Sequence, residues 1–80
     1  MPTSTVELDA SAVDVRTDAE TLHVVLADGR ELSAPLMWFP RLFTATAEQR
    51  AKWRLMGHGI GIAWDELDEH LSVAGLLRQH

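Results

Sequence analysis

Thr21-Leu22-His23-Val24-Val25-Leu26-Ala27-Asp28-Gly29-Arg30-Glu31-Leu32-Ser33-Ala34-Pro35 is the stretch that decides the fold class. Two apolar-rich segments, Thr21–Leu26 and Arg30–Pro35, flank the turn signal Ala27-Asp28-Gly29. A two-residue Asp28-Gly29 loop would set Leu26 against Glu31 and Val24 against Ser33, which mixes apolar and polar groups on both faces. A three-residue loop instead pairs Val24 with Leu32 and Leu22 with Ala34. It also gives Gly29 the left-handed position of a type I turn with a G1 bulge, where a missing Cβ is an advantage. Leu22, Val24, Leu26, Leu32 and Ala34 then share one face, and His23, Val25, Glu31 and Ser33 the other. A slip of one residue would invert that face, so the three-residue register is expected.

Upstream, Ala12–Thr17 alternates Val13 and Val15 with Asp14 and Arg16, the period of a half-buried strand, and Asp18-Ala19-Glu20 makes a polar turn. Residues 1–10 read as an acidic lead-in, ordered only near Val6 and Leu8. Downstream, Pro35 and Pro40 bracket Leu36-Met37-Trp38-Phe39. Proline disfavours helix in the residue before it, so the strand ends here, and Pro40 can open a short helical turn. Trp38 and Phe39 are expected to pack into the core, as aromatics do in small cores; the alternative is an exposed anchor for a partner.

Thr46-Ala47-Glu48-Gln49 has the form of a capping box. The helix it opens is expected to run to about Met56, with Gly57 as its C′ stop. Ala47, Ala51 and Leu55 fall on one side of that helix and Trp53 and Met56 on nearly the opposite one, so it is expected to pack against the C-terminal segment. Gly57-His58-Gly59-Ile60-Gly61 is glycine-rich, yet it leaves a helix and enters an apparent strand, Ile60–Trp64. Phosphate loops run in the other order, so the segment reads as a helix stop and tight connection. Asp65, Glu66, Asp68, Glu69 and His70 surround Leu67, with Leu71 at spacing four. A solvated acidic side with an inward apolar side is expected, with no EF-hand pattern and no metal. Ser72 can cap a short helix over Val73–Gln79, weakened by Gly75, and Arg78-Gln79-His80 is expected to fray.

Composition bounds the function. Eighty residues with 46% hydrophobic content suit one small globular domain. Cysteine is absent, which excludes disulfides, thiol catalysis and zinc bound by thiolates. No apolar run spans a bilayer and the N-terminus lacks a secretory pattern, so a cytoplasmic location is expected. Twelve acidic and seven basic residues give a net charge of −5, which disfavours direct nucleic-acid binding. Arg41, Arg50, Lys52 and Arg54 form a basic run, and Asp65, Glu66, Asp68 and Glu69 an acidic one. Both read as solvated surface, or, in the sharper reading, as opposite patches that orient a protein partner.

Several of these features together resemble the bacterial family called domain of unknown function 2442, over about Val13 to Leu77. The segments that carry the resemblance are Asp28-Gly29-Arg30, Trp38-Phe39-Pro40-Arg41-Leu42, the Ala45–Trp53 helix, the exit Gly57–Gly61, Gly61-Ile62 with Trp64, and the run from Leu67-Asp68-Glu69 through Leu71-Ser72-Val73 to Gly75-Leu76-Leu77. His70 stands where family members often carry an acid. The resemblance implies a small bacterial α+β domain with no established activity. Similar domains occur alone or joined to a helix-turn-helix, and the stand-alone ones are often encoded beside another short protein, as antitoxins are. With the chain ending just after Leu77, no helix-turn-helix extension is expected in it.

The expected architecture is one α+β domain over residues 1–80: a small antiparallel sheet of three to four strands, built on an N-terminal hairpin meander, with one central helix and a short C-terminal helix. Strands occupy 12–35 and 60–64, helical structure 40–57, and a turn with a short helix 65–79. The expected function is a small protein-binding module, antitoxin-like or regulatory, whose partner is another small protein or a second copy. The alternative is a small-ligand-binding sensory domain whose DNA-binding part lies elsewhere. No cofactor is expected. An enzyme is not expected either, because the serines sit in no nucleophile motif and no spacing selects an acid–base pair such as His58 with Asp68. Trp38, Arg41, Arg50, Trp53, Arg54 and His58 are the candidate partner-binding residues, since tryptophan and arginine are enriched in binding hot spots.

Overall fold

The hairpin forms in the expected register. A computed structural model of the chain describes residues 8–78; the expectations for Val6, Gln79 and His80 fall outside that range. Strand β2 (Thr21–Leu26) pairs antiparallel with β3 (Glu31–Pro35), setting Val24 opposite Leu32 and Leu22 opposite Ala34. Gly29 has φ +94° and donates to the Leu26 carbonyl, while the Leu26 amide donates to the Arg30 carbonyl. Leu22, Val24, Leu26 and Ala34 are buried. Strand β1 (Ala12–Thr17) adds antiparallel to β2 and completes the sheet in the order β1-β2-β3. Here simple alternation fails. A register shift between Ala12 and Asp14 turns Ala12 and Val15 into the core and leaves Val13 exposed, because a bulge breaks the period of two.

The larger correction concerns the middle of the chain. The capping box forms as expected: the Gln49 amide donates to Thr46 Oγ1, and Gln49 Oε1 accepts from the Thr46 amide. The helix it opens, α2 (Ala47–Arg50), then stops after one turn, and Arg54–Met56 is a strand, β4. Two causes are visible. The Trp64 indole Nε1–H takes the Arg50 carbonyl at 2.9 Å, the acceptor a continuing helix would offer to residue 54. In addition, Trp53 and Leu55 pack against the core while Arg54 is exposed. That is a period of two, and it explains why apolar groups fell on both sides of the expected helix. Ala47 and Ala51, placed with Leu55 on one helical face, are exposed.

Gly57–Gly59 is therefore a hairpin turn and no helix stop. Gly57, His58 and Gly59 hold three successive left-handed φ values of 53°, 59° and 89°. The turn delivers β5 (Gly61–Trp64), which pairs with β4 on one side and with β6 (Glu69–Ser72) on the other. Strand β5 thus centres a second antiparallel sheet, β4-β5-β6, and does not join the first. The acidic run begins as a 3-10 turn at Asp65–Leu67, reverses through Asp68 (φ 52°), and continues as the unanticipated strand β6. Helix α3 (Val73–Arg78) follows, with Ser72 Oγ accepting from the Gly75 amide as its cap. The fold is α+β, with two three-stranded sheets and three short helices among the described residues, in place of one sheet with one central helix.

Both sheets contribute to one apolar cluster. The first supplies Val15, Leu22, Val24, Leu26 and Ala34, and the second Ile62 and Trp64, both fully buried. Leu36, Phe39 and Leu42, from the connection that contains α1 (Pro40–Phe43), insert into the same cluster, with Val73 and Leu76 of α3 completing it.

Two aspartates fasten the turns of the first sheet. Asp18 accepts from the amides of Glu20 and Thr21 and lies 3.1 Å from His23 Nε2. Those bonds, the Glu20 amide first, hold its carboxyl down to about 2 from 3.8. Asp28 is 2% exposed at its side chain, accepts from the Asp9 amide, and faces the Arg30 guanidinium, which holds it down to about 2 as well. Carboxyls depressed in the folded state lend stability that is complete above their unfolded value and is lost as pH falls toward the folded one. Urea melts across pH should therefore show stability falling between about pH 4 and pH 2. Asp18→Asn and Asp28→Asn should each be less stable at pH 7 and show a flatter acid-side loss. A second expectation separates two glycines. A Cβ on Gly29 would meet open space, so Gly29→Ala should cost only the left-handed backbone strain, about 1–2 kcal/mol. A Cβ on Gly59 would collide with the Ala12 carbonyl oxygen and lie 2.9 Å from its amide nitrogen. Gly59→Ala should cost upwards of about 3 kcal/mol in the same melts.

Candidate functional site

The segment between Pro35 and Phe43 buries one side and presents the other. Leu36, Phe39 and Leu42 recur at spacing three and enter the core, as two single helical turns joined at Phe39 allow. Met37, Trp38 and Phe43 are left 68%, 47% and 50% exposed. Trp38, expected in the core with Phe39, is thus at the surface, and only Phe39 packs inward. An open groove of about 540 Å³ lies along the end of β3, lined by the apolar Ala34, Pro35, Met37 and Phe43 and the polar Glu20, Thr21 and Ser33. The Leu36 amide donates to the Glu20 carbonyl at 2.8 Å, which fixes the β1–β2 turn against this segment.

Beside the groove, the outer face of the first sheet carries a polar network. His23 Nδ1 lies 3.1 Å from Ser33 Oγ and 3.2 Å from Glu31 Oε1, and Glu31 also pairs with Arg16 at 2.6 Å. His23 Nε2 reaches Asp18. This network joins the β1–β2 turn to β3.

The arginines proposed from sequence are occupied within the chain. Arg50 donates from Nε to the Leu42 carbonyl at 2.8 Å and from Nη2 to the Phe43 carbonyl at 2.9 Å, closing the end of α1. Arg54 grips both oxygens of Asp65, at 2.8 and 3.1 Å. This bond lowers the Asp65 pKa and raises that of Arg54. Arg41 donates to the Asp68 carbonyl and stands 3.6 Å from its carboxylate, and Lys52 meets Glu66 at 2.9 Å. The basic and acidic runs therefore face each other. Trp53 is half-buried against the core, and His58 is exposed at the tip of the left-handed turn. Of the six candidates, Trp38 and Arg41 lie in the segment that walls the groove; the other four are elsewhere. Sequence reasoning missed Met37 and Phe43. The usable signal was the spacing of three among Leu36, Phe39 and Leu42, which assigns the residues between them to the surface.

A second open groove, of about 560 Å³, lies over Gly61 between Met56 and His70 with Ser72. Among the described residues no three His, Asp or Glu side chains converge as a metal site, and no helix is long and apolar enough to cross a membrane.

The chain is similar to a protein of unknown function from Rhodospirillum rubrum known from a crystal structure, at 28% identity, 86% coverage of each chain and a TM-score of 0.75. No functionally curated protein matches it. The model of a family described as protein of unknown function (DUF2442) matches residues 12–80, nearly the whole chain, and the protein belongs to that family.

Proposed function

We propose that the domain is a non-catalytic protein-binding module, acting in the cytoplasm as an antitoxin-like or regulatory partner of another small protein. The observation that supports this reading is the apolar surface of Met37, Trp38 and Phe43 beside the β3 groove. Exposed apolar side chains scattered singly are ordinary, but grouped ones rimmed by polar residues mark interaction sites. The backbone that carries them is anchored, with Arg50 bonded to the Phe43 carbonyl and the Glu20 carbonyl to the Leu36 amide, so the main chain needs no new ordering on binding. Arg41 is in the same segment but pairs with Asp68, while Arg50, Arg54 and Trp53 make contacts within the fold. The open form of the groove suits a protein segment better than a small molecule, which a pocket usually encloses.

Affinity capture from the native host, read by mass spectrometry, tests this reading with the wild-type chain and a Met37→Asp/Phe43→Asp double variant. Both side chains are exposed, so the variant should keep the wild-type circular dichroism spectrum. The wild-type chain should retain a stoichiometric small protein, and the variant should bind it at least about 30-fold more weakly, the loss of one hot-spot residue or more. Equal capture by a folded variant, or capture of nothing by the wild-type chain, would remove this surface as a partner site.

A further inference from the structure

The geometry points to an extended, basic segment of the partner that adds as a fourth strand to β3 and seats an apolar side chain in the adjoining groove. This inference rests on the protein-binding reading above and names the chemistry of what binds.

Four strand edges lie at the margins of the two sheets, and three are blunted. Strand β1 carries a bulge, and β4 and β6 span three and four residues against the five of β3. Strand β3 is regular over its whole pairing with β2. Because Leu26 gives both its N–H and its C=O to the hairpin, antiparallel alternation turns the main-chain groups of Val24 and Leu22 toward β3. The same alternation turns those of Glu31 and Ser33 outward. Neither Glu31 nor Ser33 has a main-chain hydrogen bond on that side among the described residues. Pro35 has no N–H, so an added strand would pair along Glu31–Ser33 and stop where the groove begins. Main-chain bonds along an edge with a pocket for an alternate side chain constitute the β-augmentation mode of peptide recognition.

Charge decides between a basic partner and a second copy. Glu20 lines the groove with no ion-pair partner among the described residues, while Asp18 and Glu31 are joined through His23 on the outer face of the sheet. Arg16 is the cation there, and it already faces Glu31, while the His23 ring lies against Asp18 and Glu31. An antiparallel pairing of two copies centred on Ser33 would bring the Glu31 of each toward the Pro35 and Glu20 end of the other. Like charges opposed in this way disfavour self-pairing, whereas lysine or arginine on the added strand would meet Glu20.

The test uses synthetic peptides of alternating lysine and valine, each with one leucine at a varied position, titrated into the isotopically labelled full chain. The best lysine peptide should shift the amide resonances of Glu31 and Ser33 and slow their hydrogen exchange, with binding weakened by salt. The matching glutamate peptide should leave both unmoved. Ser33→Pro should weaken binding at least about tenfold, whereas Ser33→Ala, which keeps the N–H, should retain it. Should Ser33→Pro fail to fold, Glu20→Lys, in an exposed turn, should still lose the lysine peptide and accept the glutamate one. No peptide of the series moving Glu31 and Ser33, or equal binding of both charge types, would overturn the proposal. So would concentration-dependent protection of these amides in the chain alone, the mark of a second copy. If the natural partner is lost by Met37→Asp/Phe43→Asp but bound normally by Ser33→Pro and Glu20→Lys, strand addition fails while the protein-binding reading stands.

Discussion

Arg50 ends two helices at once, and the arrangement of the second half of the chain depends on it. Its guanidinium collects the Leu42 and Phe43 carbonyls at the end of α1, and its own carbonyl accepts the indole proton of fully buried Trp64. A buried indole N–H without an acceptor would be costly, and the Arg50 carbonyl, which no continuing helix takes, supplies the acceptor that lets Trp64 enter the core. The chain therefore leaves the helix at Ala51, and Arg54–Met56 becomes available to pair with β5. The end of α1, the start of β4 and the buried Trp64 thus meet at this one residue's backbone and side chain.

Where structure was set by neighbours in sequence, it was legible. The β2–β3 register, the polar Asp18–Glu20 turn, the Thr46 capping box and the Ser72 cap each depend on residues within a few positions of one another. Where distant groups decide, it was not. The capping box correctly marked a start at Thr46 but carried no information about Trp64, whose indole ends the helix. The alternation of Trp53 and Leu55 against Arg54 was present in the sequence, yet a strand of three residues is too short for a period of two to outweigh a strong helix start. Strand β6 was hidden for a similar reason: Asp68 in a left-handed conformation divides Leu67 from Leu71, and a spacing of four between leucines imitates a helical turn.

The charge runs teach a related lesson about the candidate site. As sequence, the Arg41–Arg54 and Asp65–Glu69 runs read as solvated surface or, in the sharper reading, as opposite patches that orient a protein partner. Folding makes them each other's partner, with Arg41, Lys52 and Arg54 meeting Asp68, Glu66 and Asp65. Exposed pairs of this kind add little stability, but they leave the surface around them nearly neutral. The acidity is felt elsewhere, and Glu20 on the β3 groove is one place where it is unopposed.

The left-handed turn at Gly57–Gly59 has a consequence for the order in which the molecule assembles. Gly59 sits against the backbone of Ala12, and the Ile60 carbonyl accepts from the Val73 amide. The turn is thus where the first strand and the last helix meet. On a ribosome, β1, β2 and β3 emerge together and can pair through local contacts. Their apolar face must then wait for Ile62, Trp64, Val73 and Leu76, which are made later. Contacts between distant parts of a chain slow folding, and an uncovered apolar face is prone to aggregation while it waits. Covering that face falls to Ile62, Trp64, Val73 and Leu76, so their arrival is what ends its exposure to other nascent chains.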